Sequence, residues 1–291
     1  MKGVFIDNDP KIGYETNSII RKLVNVIFIP LINILPAGPT RSLKKIHKSC
    51  EEMIEYAGTY RAMEIIYDVN PRPKANWFQN YFLSIWLGIN NSKAVRNRLK
   101  LVKREIKKKI IQLALDNKDI KIINVASGSA RAVLESVDDI HLDNNHKLSA
   151  VFIDKNNEAL LFSQKLASTN KHYLSFQWVN DTAENFFKLN DHKADFNIAE
   201  VVGLLEYLSD NDVLRIFSLI HESLDSDGIL ITTNTMKNSE RRFFSDVIGW
   251  KMIYRSADEL SSLLMDAGFS LDMMKIYYEP QRIHCIIVAK K

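Results

Sequence analysis

The sequence predicts an α/β fold: a seven-stranded mixed sheet, its last strand antiparallel, preceded by an N-terminal all-α cap. Three observations predict it. After residue 118, short β-branched runs alternate with helical patterns five times. The chain closes on two runs, 271–278 and 282–290, joined by Glu279-Pro280-Gln281. So short a turn makes an antiparallel pair at a sheet edge. Before residue 117, by contrast, helical spacing dominates. The chain therefore divides into residues 1–117, a cap that would hold a substrate, and 118–291, a ligand-binding domain.

The cap reads as follows. Residues 23–35, Leu-Val-Asn-Val-Ile-Phe-Ile-Pro-Leu-Ile-Asn-Ile-Leu, are strongly apolar. They are too short to span a bilayer and are interrupted by Pro30 and two Asn. They are expected to be a buried segment or a lid over a pocket, with peripheral membrane contact as the alternative. Leu43, Ile46, Cys50, Met53, Ile54, Ala57 and Met63 mark one amphipathic helix begun near Pro39-Thr40-Arg41-Ser42. Asn70-Pro71-Arg72-Pro73 breaks the chain. The aromatic run from Trp77 to Trp86 reads as core, with pocket lining as the alternative. A helix from about 92 to 115 then carries nine Lys or Arg and one Glu between Lys93 and Lys109. That is a local +8 in a chain of net +4. It is either a solvated face beside Leu99, Val102, Ile106 and Ile110, or a contact for nucleic acid, anionic lipid or an acidic ligand.

In the second half, strand 120–125 leads to helix 130–138, and 148–153 leads to 158–167. Strand 172–179 leads to 183–188, 195–202 to 210–224, and 228–234 to 257–267. Repeated strand–helix units imply a parallel sheet covered on both faces. His141 and His146, with Asp143-Asn144-Asn145, read as a solvated loop. Cys50 and Cys285 lie far apart and match no metal-ligand spacing. No metal is expected, and unpaired thiols point to a reducing cytoplasm. No signal peptide is evident at the start of this sequence.

Open α/β sheets bind ligands at the carboxyl ends of their strands. The first strand ends in Ala126-Ser127-Gly128-Ser129-Ala130 and enters a helix at Arg131. A small-residue turn lets a ligand approach the backbone, and a helix start offers N–H groups and a positive dipole end. Asp154 follows the second strand, where an acid can accept hydrogen bonds from a ribose. Asp181 and Thr182 follow the third. Glu200, Val201 and Glu206 follow the fourth, and Thr235 the fifth. Asp154 and Asp181 could also cap the helices they precede, and Arg131 could pair with Glu135 four residues on.

This order resembles the class I S-adenosylmethionine-dependent methyltransferases, whose core is a Rossmann-like sheet. Their first motif, an acid and then Gly-x-Gly-x-Gly, is matched by Asn124-Val125-Ala126-Ser127-Gly128-Ser129-Ala130. Asn replaces the acid, and Ala replaces the first and third glycines. The resemblance implies S-adenosyl-L-methionine as cofactor, bound by Ala126, Ser127, Gly128, Arg131, Asp154, Lys155, Asp181, Thr182, Glu200 and Val201. Within that set it implies Asp154 on the ribose and Asp181 on the adenine amino group. Arg131 is suited to the cofactor's carboxylate. Asp225-Ser226-Asp227-Gly228 matches the segment before the fifth strand.

A second set, Ala130–Val133, 203–208 and 250–260, resembles bacterial methyltransferases that include makers of 3-hydroxy fatty acid methyl esters. That likeness implies a small acceptor, acidic or acyl, with carboxyl O-methylation. Glu200, Tyr254 and Arg255 are the candidate catalytic residues. A carboxylate acceptor needs no general base; a hydroxyl or amine would use Glu200 or Glu206. Two other functions fit the residues. The basic helix could hold RNA for methylation, or the lost glycines could mark a catalytically silent binding protein.

Overall fold

The computed structural model describes residues 4–140, 147–168, 174–189 and 194–291. The loop with His141 and His146, and the start of the strand expected from 172, lie outside these. The N-terminal part contains β1 (Val4–Ile6), α1 (Ile19–Ile34), α2 (Ala37–Ser42), α3 (Lys48–Glu55), α4 (Tyr60–Tyr67), α5 (Trp77–Leu87) and α6 (Asn90–Leu115). Alternation then begins: β2 (Ile120–Val125), α7 (Arg131–Asp138), β3 (Leu148–Ile153), α8 (Asn157–Ala167), β4 (Leu174–Val179) and α9 (Ala183–Leu189). It continues through β5 (Phe196–Val201), α10 (Asp210–Ser223), β6 (Leu224–Thr235), α11 (Ala257–Asp266), β7 (Met274–Tyr278) and β8 (His284–Lys290).

The sheet has eight strands, not seven, in the order β1-β7-β8-β6-β5-β2-β3-β4. Only β8 is antiparallel to its neighbours. The extra strand is β1, which pairs in parallel with β7, Val4 opposite Ile276. The cap is therefore not all-α. Three residues cannot display a two-residue period, so β1 leaves no pattern in the sequence.

Each sheet face is buried by helices. On one, Val213 and Phe217 of α10 and Leu260 and Leu264 of α11 pack on Val201, Leu230 and Ile287. On the other, Leu101, Ile106 and Ile110 of α6 join Val133 and Leu134 of α7 over Ile122, Phe152 and Ile286. A third cluster joins the cap helices to a π-helical segment at 243–248, through Phe243, Phe244 and Trp250.

Three expectations change. The single amphipathic helix expected from 43 to 63 is broken into a 3₁₀ turn (Leu43–Ile46), α3 and α4. Gly58, at φ +78°, turns the chain between α3 and α4. A side chain there would sit 3.0 Å from the Tyr207 ring. Second, the basic helix α6 is only in part a solvated face: Lys108 stays exposed, but several of its cations turn inward. Arg96, Arg98 and Lys109 are buried. Arg96 pairs with Glu15 at 2.6 Å, Lys103 with Glu135 at 2.6 Å, and Lys107 with Asp139 at 3.0 Å. Arg104 pairs with Asp7, and Lys108 with Glu105. Lys93 donates to Asn17, Lys100 to the Gly13 carbonyl, and Lys109 to the Asp227 carbonyl. Arg98 faces Glu206. All nine cations are thus engaged within the chain. Third, α1 is not buried; most of its apolar side chains face solvent. Among the described residues, no helix is long and apolar enough to cross a membrane.

Candidate active site

β2 and β5 lie side by side, and the chain leaves them toward opposite edges of the sheet. That is a topological switch point, where the crossovers part and leave a crevice at the carboxyl ends. Asn124 and Glu200 are register partners there. A cavity of about 620 Å³ opens above them. Ala126, Ser127, Gly128, Arg131, Asp154, Lys155, Asp181, Thr182 and Glu200 all line it.

The loop after β2 makes the tight small-residue turn expected of it, although two of its glycines are replaced by alanine. Ala126, Gly128 and Ala130 all have left-handed φ, at +52°, +54° and +54°. Alternating left-handed residues turn successive amides to one side, the arrangement that a close-lying ligand needs. Alanine bears this at a cost of about 1–2 kcal/mol per residue. Ala130 recovers part of it by packing its methyl into the α6–α7 core. Ala126 is half-exposed and has no such return. Ala126→Gly is therefore expected to raise stability by about 0.5–1 kcal/mol. Urea denaturation would register this as a higher midpoint at unchanged slope.

Asp154 ties the loops together. Its Oδ2 accepts from the Gly128 N–H at 2.8 Å, and its Oδ1 from the Asn156 N–H at 2.8 Å. Each carboxylate oxygen keeps a further lone pair. Asp181 Oδ1 accepts from the Thr182 N–H and from Asn185 Nδ2, as a cap would. Ser127 Oγ and Asn124 Oδ1 are buried without a hydrogen-bond partner. Small left-handed residues, a held carboxylate and an unpaired hydroxyl together fit an adenosyl group.

Arg131 is already engaged. It makes two hydrogen bonds to Glu64 of α4 and a third, at 2.7 Å, to Glu135. With Arg61 on Glu158 at 2.6 Å, these pairs pin α4 across the cradle. Val201 is fully buried and, unlike its neighbours Glu200 and Val202, does not line the cavity.

Tyr254 and Arg255 do not line it either. Arg255 is buried, donating to the carbonyls of Leu205 and Leu208, to Asn234 and to Asp210. Its guanidinium has no donor to spare; it clamps the 205–210 segment that carries Glu206 and Tyr207. The half-buried Tyr254 hydroxyl has no partner, and burial raises its pKa.

The polar floor of the cavity joins Glu200, Glu206 and Thr235 to two residues that the sequence did not single out, Arg98 and His284. Arg98, 4 % exposed, projects from α6 with its Nη1 3.9 Å from Glu206 Oε1. Its Nε has no partner. Glu206 Oε1 accepts from the Thr235 N–H and hydroxyl at 3.0 Å each, and its Oε2 is unpaired. His284 stands 3.4 Å from the same hydroxyl, with Nε2 unpaired. Burial and Arg98 hold its pKa well below the ordinary histidine value, so it is neutral. Glu200, 5 % exposed, makes no hydrogen bond through its carboxyl to another described residue. Burial raises its pKa to about 8 against the opposing charge of Arg98. The same cavity has apolar lining from Met63, Ile66, Val95, Leu99, Phe244 and Trp250. The Trp250 indole N–H donates to the Tyr207 hydroxyl at 2.8 Å.

A doubly covered sheet whose switch point carries a small-residue left-handed loop tied to a carboxylate is the architecture of a Rossmann-like methyltransferase. The model of the family described as "Putative methyltransferase" matches residues 62–291, and the chain belongs to that family. Among solved structures, a possible exported protein from Bordetella parapertussis is similar at 16 % identity. The match covers 84 % of this chain and 86 % of that one, with a TM-score of 0.64. Magnesium protoporphyrin IX methyltransferase from Synechocystis, with bound S-adenosylhomocysteine, matches at 11 % identity and a TM-score of 0.54. It covers 79 % of this chain and 94 % of that one. An O-methyltransferase, described as putative, from Nostoc punctiforme matches at 16 % identity and 0.50, covering 71 % and 60 %. No curated protein matches the sequence.

Proposed function

We propose that the chain transfers the methyl group of S-adenosylmethionine to the carboxylate of a small acidic or acyl acceptor. The observation that carries this reading is the lining of the cavity: apolar side chains together with a buried arginine, Arg98, whose Nε has no hydrogen-bond partner among the described residues. An amphipathic carboxylic acid fits both, its tail on Met63 and Val95 and its head on the guanidinium. Bound at the cradle, S-adenosylmethionine supplies an activated sulfonium methyl. The protein's part is alignment and exclusion of water. Asp154 would hold the ribose, the 126–130 loop would lie along the cofactor, and Asp181 would meet the adenine. α4, pinned by Glu64 and Arg61, would cover it. The 1–117 segment would thus serve as the substrate side of the site.

Glu200 supports the acceptor choice. With a pKa near 8 it carries a proton at neutral pH and does not repel an anionic head. A carboxylate is its own nucleophile and needs no base. The resemblance of residues 130–133, 203–208 and 250–260 to makers of 3-hydroxy fatty acid methyl esters supports the same acceptor. The two cysteines are buried and unpaired, which fits a reducing cytoplasm.

The test is transfer of a labelled methyl group to 3-hydroxy fatty acids and, in parallel, to RNA. A base-labile product on the fatty acid is the expected result. Label on RNA alone, or on neither while S-adenosylhomocysteine binds, would overturn the carboxylate assignment.

A further inference from the structure

Helix α1 is amphipathic, but inverted. At about 100° per residue, Ile20, Leu23, Val26, Ile27, Leu31 and Ile34 fall on one half of its circumference. They are between 52 % and 74 % exposed. The polar residues lie on the other half, against the protein. Asn25 Nδ2 donates to Asn90 Oδ1 at 3.2 Å. Asn33 Nδ2 donates to the Ser239 carbonyl at 2.7 Å, and its Oδ1 accepts from the Phe243 N–H at 2.9 Å. Arg21 donates to the Gly88 carbonyl and lies over the Phe28 ring. These bonds fix the rotation of the helix, so the apolar half is presented outward rather than left there by a loose fit. A surface helix of a soluble domain has the reverse arrangement, and an exposed apolar face this continuous marks a contact.

We infer that α1 is a membrane-docking surface, and that its occupant is the face of a bilayer containing anionic phospholipid. Charge selects this occupant. From residue 10 to 48 the sequence holds seven Lys or Arg and a single acid, Glu15, which is paired with Arg96. Lys22 is exposed on α1 itself, at the flank of the apolar half. A second copy of the chain docking here would set that positive charge against itself. Anionic headgroups complement it at about 1 kcal/mol per cation. Sixteen residues of helix measure about 24 Å, short of the roughly 30 Å hydrocarbon thickness. The helix therefore lies in the interface, its apolar half among the acyl chains. The inference stands apart from methyl transfer, since none of these side chains lines the cavity.

Vesicle flotation with the full chain tests it. On vesicles of equal parts phosphatidylglycerol and phosphatidylcholine, the protein is expected to float. On phosphatidylcholine alone, binding is expected to fall severalfold. The variant Leu23→Ser, Ile27→Ser, Leu31→Ser, Ile34→Ser is expected to lose binding about tenfold or more. Its thermal midpoint should hold, because these side chains leave solvent for no part of the fold. Lys22→Glu, which leaves the apolar half intact, is expected to weaken binding to the anionic vesicles about fivefold. Failure to float on either composition would overturn the inference, as would equal flotation of the serine variant. A dimer in sedimentation velocity that the serine variant abolishes, without vesicle binding, would assign the face to a second copy and overturn it too.

Discussion

Asp154→Ala is expected to weaken S-adenosylhomocysteine binding about a hundredfold. The carboxylate does two things at once. It accepts from the Gly128 and Asn156 amides, which holds the loops after β2 and β3 together. It also leaves lone pairs where a ribose diol would donate. A hydrogen bond to a charged group contributes about 1.5–3 kcal/mol, so losing the diol contacts alone accounts for the factor. Titration calorimetry reads the effect. Asp154→Asn retains one acceptor oxygen and should fall between the two. A change under about threefold for Asp154→Ala would place the ribose elsewhere in the cavity.

The second large effect concerns Glu200 and pH. Its folded-state pKa is raised to about 8 from an ordinary 4.5. Between those values the folded protein keeps a proton that the unfolded chain has released. Stability contributed by this group is therefore greatest at low pH and declines as pH rises through the window. Glu200→Gln removes the dependence. The variant should match the parent near pH 4.5 and exceed it by about 3–5 kcal/mol above pH 8. Urea midpoints at the two ends of the range measure this; parallel curves would mean that Glu200 is ionised throughout. Activity separates the chemical roles. With a carboxylate acceptor, the glutamine variant should keep kcat within about tenfold, whereas a lost general base costs 10²–10⁴-fold.

What the sequence disclosed, and what it hid, follows from physical range. Strand–helix alternation and the polar residues at strand ends are local, so β2–β8 and the Asp154 and Glu200 positions were legible. Side-chain direction is not local. Arg98 is one of nine cations in a run, and nothing in the run tells it apart from Lys100 or Lys103. Only the fold, by laying α6 on the sheet, sends it beneath the cavity. Arg255 was a candidate catalytic residue by its place near the strand-end loops; its hydrogen bonds go instead to Leu205, Leu208, Asn234 and Asp210. The glycine-to-alanine changes left open a catalytically silent binding protein, yet Ala126 and Ala130 adopt the left-handed backbone all the same. Sequence reports the penalty of a conformation, not whether the surroundings impose it.

The pairing of β1 with β7 bears on how the molecule is assembled. Val4 meets Ile276 across almost the whole chain. Closing so long a loop is entropically late, so this edge of the sheet should zip after the central strands have formed. Until then the outer edge of β7 stands unpaired, a strand edge open to other chains. A nascent chain would accordingly pass through a sticky stage, and a chaperone could capture it then. Deleting β1 should prolong that stage more than it lowers the final stability, since three edge residues add few contacts of their own.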